Sequence, residues 1–221
     1  MFLIGAFLSF ALGFSNSCCA EITRSYTLEA AEVAKHTATV TFVPAGTEDR
    51  YVIGSGWAIK DKGSYKLFTA QHVGLSTVSV PGSLEFCSLK AHCVPVDIFD
   101  AVGPVIGADT DQDWMYWESA EIPRGLKSSK LGGDPLIGDQ VCVGGAPLGR
   151  VGEVTCGQVT NDLDSVFYVD ARVLPGNSGG PVFDDRGKVI GMLIALDFPL
   201  KEGLSPVETS GIAIKVDQMW K

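Results

Sequence analysis

The chain is a succession of short β segments with almost no helical period between them. In the first half, 37–43, 51–60, 65–69, 76–80, 93–99 and 114–118 are β-branched, aromatic or alternating. In the second half, 140–144, 152–160, 165–172, 181–183, 188–196 and 211–216 read the same way. Gly, Pro, Asp and Ser clusters separate them, as expected of strands joined by turns. Such a chain folds as an all-β sandwich or a pair of barrels. No motif recurs at a fixed period, which excludes solenoids and propellers. A glycine pair, Gly54 and Gly56, interrupts 51–60 and predicts a bulge or a close backbone approach. Asp61-Lys62-Gly63-Ser64 reads as a hairpin turn. Residues 21–35 form a partly helical lead-in, 199–208 an exposed loop, and 216–221 a short terminal helix. The Gly-, Lys-, Ser- and Pro-rich stretch 123–138 reads as a linker. The expected division is therefore 21–122 for one barrel, 123–138 for the linker and 139–221 for the other.

Residues 1–20 carry no charge, and 2–14 are an apolar run followed by small residues. That run is short for a membrane span and suits the core of an export signal, with cleavage after Ala20. A membrane anchor and a lipid on Cys18 or Cys19 are the alternatives, so the expected location is secreted or tethered outside the cytoplasm. Loss of the leader leaves Cys87, Cys93, Cys142 and Cys156 of the six cysteines. Four cysteines allow three pairings. The local choice is Cys87–Cys93 and Cys142–Cys156, against four buried free thiols; export permits the bridges. His92 beside Cys93 lacks the ligand spacing of a zinc site. A net charge of −9 without any basic run excludes nucleic acid and anionic membrane surfaces as partners.

The chemistry converges on Pro-Gly-Asn-Ser-Gly-Gly-Pro at 175–181. A serine on a glycine-rich bend at the mouth of a strand presents its hydroxyl beside free backbone N–H groups. With a histidine and an acid in reach, Ser178 is a nucleophile with an oxyanion hole; without them it merely caps a turn. Only His36, His72 and His92 exist. His72 closes the strand 65–69 in Leu-Phe-Thr-Ala-Gln-His and is the best-placed general base. Asp109, Asp111 and Asp113 cluster further on. Asp113 directly precedes the apolar run Trp114-Met115-Tyr116-Trp117, where a carboxylate is sheltered enough to orient a histidine. The cluster lacks the glycine and bidentate glutamate of a calcium loop. No cofactor and no metal are expected.

These motifs together resemble the chymotrypsin-fold, trypsin-like serine proteases, in particular the Deg/HtrA type and related bacterial and viral peptidases. The resemblance rests on Gly-Ser-Gly-Trp-Ala-Ile (54–59), Thr-Ala-Gln-His-Val (69–73), Asp-Trp-Met-Tyr-Trp (113–117), Gly-Gly-Ala-Pro-Leu-Gly (144–149), the Ser178 motif and Val-Ile-Gly-Met (189–192), in family order. It implies two six-stranded antiparallel barrels with the active site in the cleft between them. It further implies a serine endopeptidase acting on protein or peptide through an acyl-enzyme. Ser178 would attack, His72 would move the proton and Asp113 would hold His72. Gly176 and Ser178 N–H would form the oxyanion hole, and Ile194, Ala195 and Leu196 would pair with the substrate. Asn177 stands where digestive relatives carry an aspartate that binds a newly cut N-terminus, so that activation switch should be absent. Arg172 stands where trypsin's basic specificity is set by aspartate; it would favour an acidic residue or point outward. Ala195 and Leu196 suggest a small or medium apolar residue before the scissile bond. No PDZ-like segment is expected after the second barrel. The competing functions are a viral or phage polyprotein-processing protease and a catalytically silent binding protein of the same fold.

Overall fold

The computed structural model describes residues 28–104, 112–197 and 210–219. The leader, Asp109, Asp111 and the loop 199–208 lie outside them. Among the described residues, no helix is long and apolar enough to cross a membrane.

The short helix α1 (Ala30–Lys35) precedes six strands: β1 (Ala38–Pro44), β2 (Tyr51–Asp61), β3 (Ser64–Thr69), β4 (Gly82–Cys87), β5 (Cys93–Val96) and β6 (Met115–Ser119), with α2 (Gln71–Leu75) between β3 and β4. They form one antiparallel sheet in the order β5-β4-β1-β2-β3-β6. The second set is β7 (Gln140–Gly145), β8 (Glu153–Asp162), β9 (Val166–Val169), β10 (Pro181–Phe183), β11 (Val189–Asp197) and β12 (Ser210–Lys215). These close into a barrel, β10-β11-β12-β9-β8-β7. The two-barrel, chymotrypsin-like architecture is thus present, with one difference in the first half. Its sheet curls without a ladder between β5 and β6 among the described residues. β5 stops after Val96 because Asp97 turns the chain, its Oδ1 accepting the Phe99 N–H at 2.9 Å. A side chain crosses the gap instead: the Trp117 indole N–H of β6 donates to the Asp97 carbonyl at 2.7 Å.

The Gly54/Gly56 pair delivers both expected features. β1 pairs Val40 with Gly54 and Thr41 with Val52, so Ile53 is the extra residue of a bulge. A Cβ at residue 56 would lie 2.7 Å from the Phe68 carbonyl oxygen, so only glycine fits. The hairpin at 61–64 has Lys62 and Gly63 at φ 45° and 97°, the two positive angles of a type I′ turn.

The strand expected at 76–80 is not there. Ser76 and Thr77 hydroxyls donate to the Val73 and Gly74 carbonyls at 2.7 and 3.0 Å, and the Val80 N–H bonds back to Thr77 O at 2.9 Å. Hydroxyls that satisfy the last carbonyls of a helix compete with extended structure. Val78 and Val80 are consequently exposed. The strand lies at β4, where Leu84 and Phe86 point inward and β1 pairs along its whole length. The strand expected at 93–99 is shorter for the reason given above. In the second half all six strands fall within a few residues of their expected places. The terminal turn Val216–Gln218 is a single 3₁₀ turn.

Both disulfides are formed, between directly opposed residues: Cys87 with Cys93 across β4–β5, and Cys142 with Cys156 across β7–β8. The second closes a separation of 14 residues. Loop-closure entropy puts its stabilisation at about 3 kcal/mol.

The stretch after residue 123 is strapped to the rest. Lys127 N–H donates to the Lys35 carbonyl at 2.8 Å, and its ammonium meets Glu32 at 2.5 Å. Lys127 and then Lys35 hold the Glu32 carboxyl down to about 2. His36 lies behind this strap with its side chain 19% exposed, edge-on to Phe183 and 3.5 Å from Ser129 Oγ. Burial pushes its pKa below the usual histidine value, with Glu32 opposing and Lys127 reinforcing the shift. The folded state therefore favours neutral His36. Below about pH 6.5 the unfolded chain takes up a proton that the folded chain refuses, so stability falls as pH drops through that value. Thermal unfolding of the parent should lose more between pH 7 and pH 5 than that of His36→Gln. Identical pH dependence for the two would place the proton uptake elsewhere.

Candidate active site

His72 and Asp113 meet because β3 and β6 are neighbours. Thr69 pairs with Met115, so the chain leaving β3 and the chain entering β6 lie side by side. His72 is the second residue of α2, and Asp113 sits two before Met115. One carboxylate binds both ends of the histidine. Asp113 Oδ1 accepts the His72 backbone N–H at 2.9 Å, and Oδ2 lies 2.5 Å from Nδ1. An ionised carboxylate only accepts, so Nδ1 is the ring's donor and Nε2 is left without a proton. The Asp113 side chain is 21% exposed against 51% for His72. The acid is thus sheltered and the imidazole faces outward. The helix is pressed onto β6 through Gly74, where a Cβ would come within 2.6 Å of Met115 Sδ and 2.9 Å of Ile98 Cδ1.

Ser178 lies on the turn before β10. The Asn177 N–H donates to Leu174 O at 3.0 Å, and Asn177 Oδ1 accepts the Leu174 N–H at 3.1 Å. Asn177 is 2% exposed, so a neutral side chain closes this turn internally. Downstream, Gly179 N–H bonds to Leu193 O at 2.7 Å and Leu193 N–H to Gly180 O at 2.8 Å. These bonds fasten the loop to β11. Gly176 takes φ +100°. Among the described residues, neither Gly176 N–H nor Ser178 N–H has an acceptor.

The two halves touch at this point. Ser55 N–H donates to Ser178 O at 2.8 Å. A Cβ at residue 54 would lie 2.6 Å from Val73 Cγ1 and 3.2 Å from Ser178 O. The missing side chain of Gly54 therefore lets His72's neighbour and the serine's own carbonyl converge on one spot. Gly179 has φ +83°, and a Cβ there would collide with Ser55 O, with Thr69 Oγ1 and with Ala70 N at 2.8 Å. So the residue after Ser178 is packed against the chain that leads into His72.

The four residues expected to bind substrate are placed as follows. Arg172 is exposed between buried Ala171 and Val173. Ile194 is buried, and Ala195 and Leu196 are half-buried. Ala195 and Leu196 pair with Ile212 and Gly211 of β12 on one side, while the β10 ladder stops at Met192. Among the described residues, this stretch of β11 therefore has no strand on its second edge. Glu85, Cys87 and Cys93 bring metal-type ligands together, but the disulfide occupies both sulfurs.

The family model for the trypsin-like peptidase domain matches residues 54–192, more than half of the chain. The chain belongs to the trypsin-like peptidase family. The match begins at Gly54 and includes His72, Asp113 and Ser178. Among curated relatives of this trypsin-like peptidase, Protease Do-like 2, chloroplastic, from Arabidopsis thaliana is 34% identical over 100 residues, covering 40% of this chain and 16% of its own. A serine protease HtrA-like of Staphylococcus aureus (strain USA300) is 31% identical over 140 residues, covering 54% of this chain and 18% of its own. The chain thus spans under a fifth of these relatives' length. Among solved structures, an HtrA-type protease AlgW with decapeptide superposes with TM-score 0.60 at 21% identity, over 86% of this chain and 65% of that one. The serine endoprotease from Yersinia pestis gives 0.59 at 21% identity, over 86% and 63%. At that identity the structural likeness speaks for the fold.

Sequence reading assigned no role to Ser55, Thr69 or Leu148, although each lies inside a quoted motif. Thr69 Oγ1 donates to Ser55 O at 2.8 Å. Leu148 N–H donates to Pro175 O at 2.8 Å, from a residue held at φ 51°. A polar residue between two glycines, and a leucine wedged between proline and glycine, were the available signals.

Proposed function

We propose that the chain is a serine endopeptidase working through His72, Asp113 and Ser178. The observation that carries this reading is the Asp113–His72 pair, doubly bonded and facing out, on the same wall that the Ser178 loop packs against. Ser178 Oγ attacks the scissile carbonyl while His72 Nε2 takes its proton, and Asp113 stabilises the resulting imidazolium. The oxygen of the tetrahedral intermediate is bound by Gly176 and Ser178 N–H. Collapse breaks the C–N bond; His72 returns the proton to the leaving amine, and water then hydrolyses the acyl-enzyme by the same steps in reverse.

The substrate lies as an added strand along Ile194–Leu196, on the edge that β12 leaves open. Backbone pairing there accepts any peptide, and the apolar Ala195 and Leu196 favour a small or medium apolar residue before the cleaved bond. The exposed Arg172 takes no part in that choice. A related fold solved with a decapeptide supports a peptide ligand. Two disulfides support a site of action outside the cytoplasm, reached through the apolar leader by secretion or by a tether. The division at 123–138 puts histidine and acid on one half and the nucleophile on the other.

A fluorophosphonate probe tests the reading directly. Native protein should be labelled at Ser178 with one-to-one stoichiometry, and unfolded protein should not be. Absence of label in native protein, together with no cleavage in a peptide library, would sink it. Cleavage after acidic residues would instead return a role to Arg172.

A further inference from the structure

Ser55 is fully buried between Gly54 and Gly56, and it makes four hydrogen bonds to three separate segments. Its N–H donates to Ser178 O at 2.8 Å, and its carbonyl accepts from Thr69 Oγ1 at 2.8 Å. Its hydroxyl donates to Gly176 O at 2.6 Å and accepts the Ala146 N–H at 2.9 Å. A hydroxyl has one proton to give and lone pairs to accept with. Here both capacities are used inside the protein, on partners 121 and 91 residues away.

The Gly176 carbonyl is the group between the two N–H donors of the nucleophile loop. Gly176 has φ +100°, and no side chain restrains it, so its orientation depends on what holds the flanking peptides. The peptide before it is held by Leu148 N–H on Pro175 O. That peptide is trans, since the described chain has no cis bond, so Gly176 N–H points away from Leu148. The peptide after it is held at both ends, by Ser55 Oγ on Gly176 O and by Leu174 O on Asn177 N–H. Ala146, which anchors the Ser55 hydroxyl, lies two residues before Leu148 in the same turn. Ser55 therefore clamps the turn at 146–148 to the loop at 176–178 from a strand of the other half.

We propose that the Ser55 hydroxyl is a positioning residue that presets the Gly176 N–H toward the substrate's developing oxyanion. The inference rests on the reading of Ser178 as nucleophile. It gives this loop an internal restraint, made of neutral groups, that exists without any chain cleavage. Removing the hydroxyl leaves Gly176 O and the buried Ala146 N–H without partners, and it releases both the peptide after Gly176 and the 146–148 turn whose Leu148 N–H holds the peptide that carries the Gly176 N–H. Ground-state binding along β11 does not use this group, so the damage falls on the transition state.

The test is Ser55→Ala, assayed for kcat, KM and affinity for a peptide aldehyde, which forms a tetrahedral adduct with the serine. Loss of a whole oxyanion donor costs about 10²–10³ in rate. A donor that is present but no longer held should cost about 10–100-fold in kcat and in aldehyde affinity alike, with KM within about threefold. Rates are taken per folded molecule, from thermal unfolding of each variant. Should the alanine variant not fold, Ser55→Cys keeps the volume with a weaker donor and is read in the same way. Undiminished aldehyde affinity in a folded variant overturns the proposal, as does a loss confined to KM. A parent protein that neither cleaves peptide nor takes the fluorophosphonate probe defeats the Ser178 reading instead, so the two failures are distinct.

Discussion

Replacing Ser178 with alanine should lower kcat by about 10⁶-fold while leaving the fold intact, the scale seen when a triad serine is removed. The loop's restraints explain why the loss should be chemical. Asn177 closes the turn, Gly179 and Gly180 bond to Leu193, and Ser55 holds the carbonyls of residues 176 and 178. Each bond uses main chain or a neighbour's side chain, and none uses Ser178 Oγ. Alanine therefore removes one oxygen at a half-exposed site and disturbs no packing. The melting temperature should hold within about 2 °C, because surface changes away from packing and buried polar groups stay within about 0.5 kcal/mol. Residual turnover should remain about 10³–10⁴ above the uncatalysed reaction, since the N–H donors and the binding edge survive. The checks are steady-state kinetics on the best library peptide, probe labelling and thermal unfolding. A variant that still cleaves at parental rate would move the nucleophile elsewhere.

What could be read from the sequence was local. Alternation places Leu84 and Phe86 inward as plainly as it places Val141 and Val143 inward. Even so, local propensity favours 76–80 over β4, because Val78 and Val80 are β-branched. Propensity lost there to two hydroxyls bonding back onto α2. The disulfides were legible because close spacing across a hairpin makes the local pairing geometrically natural. Asp113 was legible from the apolar run after it, which is what gives a carboxylate shelter. Its second bond, to the His72 backbone, was not, because it depends on α2 starting at Gln71. Ser55 illustrates the general difficulty. Its chemistry is ordinary for a serine, and its importance comes from Gly176 and Ala146, which no local pattern connects to it. The gap between β5 and β6 is of the same kind, since it reflects where Asp97 and Trp117 meet.

Asp113→Asn should lower kcat on the order of 10⁴-fold, as in the equivalent change in a Ser-His-Asp template, with KM nearly unchanged. The substitution is nearly isosteric, and its amide oxygen can still accept the His72 backbone N–H that Oδ1 now takes at 2.9 Å. The start of α2 and the seat of Gly74 on Met115 should therefore persist. The change falls on the ring. An amide NH₂ facing Nδ1 donates where the carboxylate accepted, so Nδ1 becomes the acceptor and the proton moves to Nε2. That tautomer cannot take the proton from Ser178. It also leaves no negative charge to stabilise the imidazolium if one forms. Asp113→Ala separates these effects from anchoring. It loses the bond to the His72 backbone as well, and should unfold at a lower temperature than the asparagine variant. Comparable kcat in Asp113→Asn and the parent would transfer the orienting role to Asp109 or Asp111. A large rise in KM at constant kcat would show that Asp113 shapes the binding wall while another group orients His72.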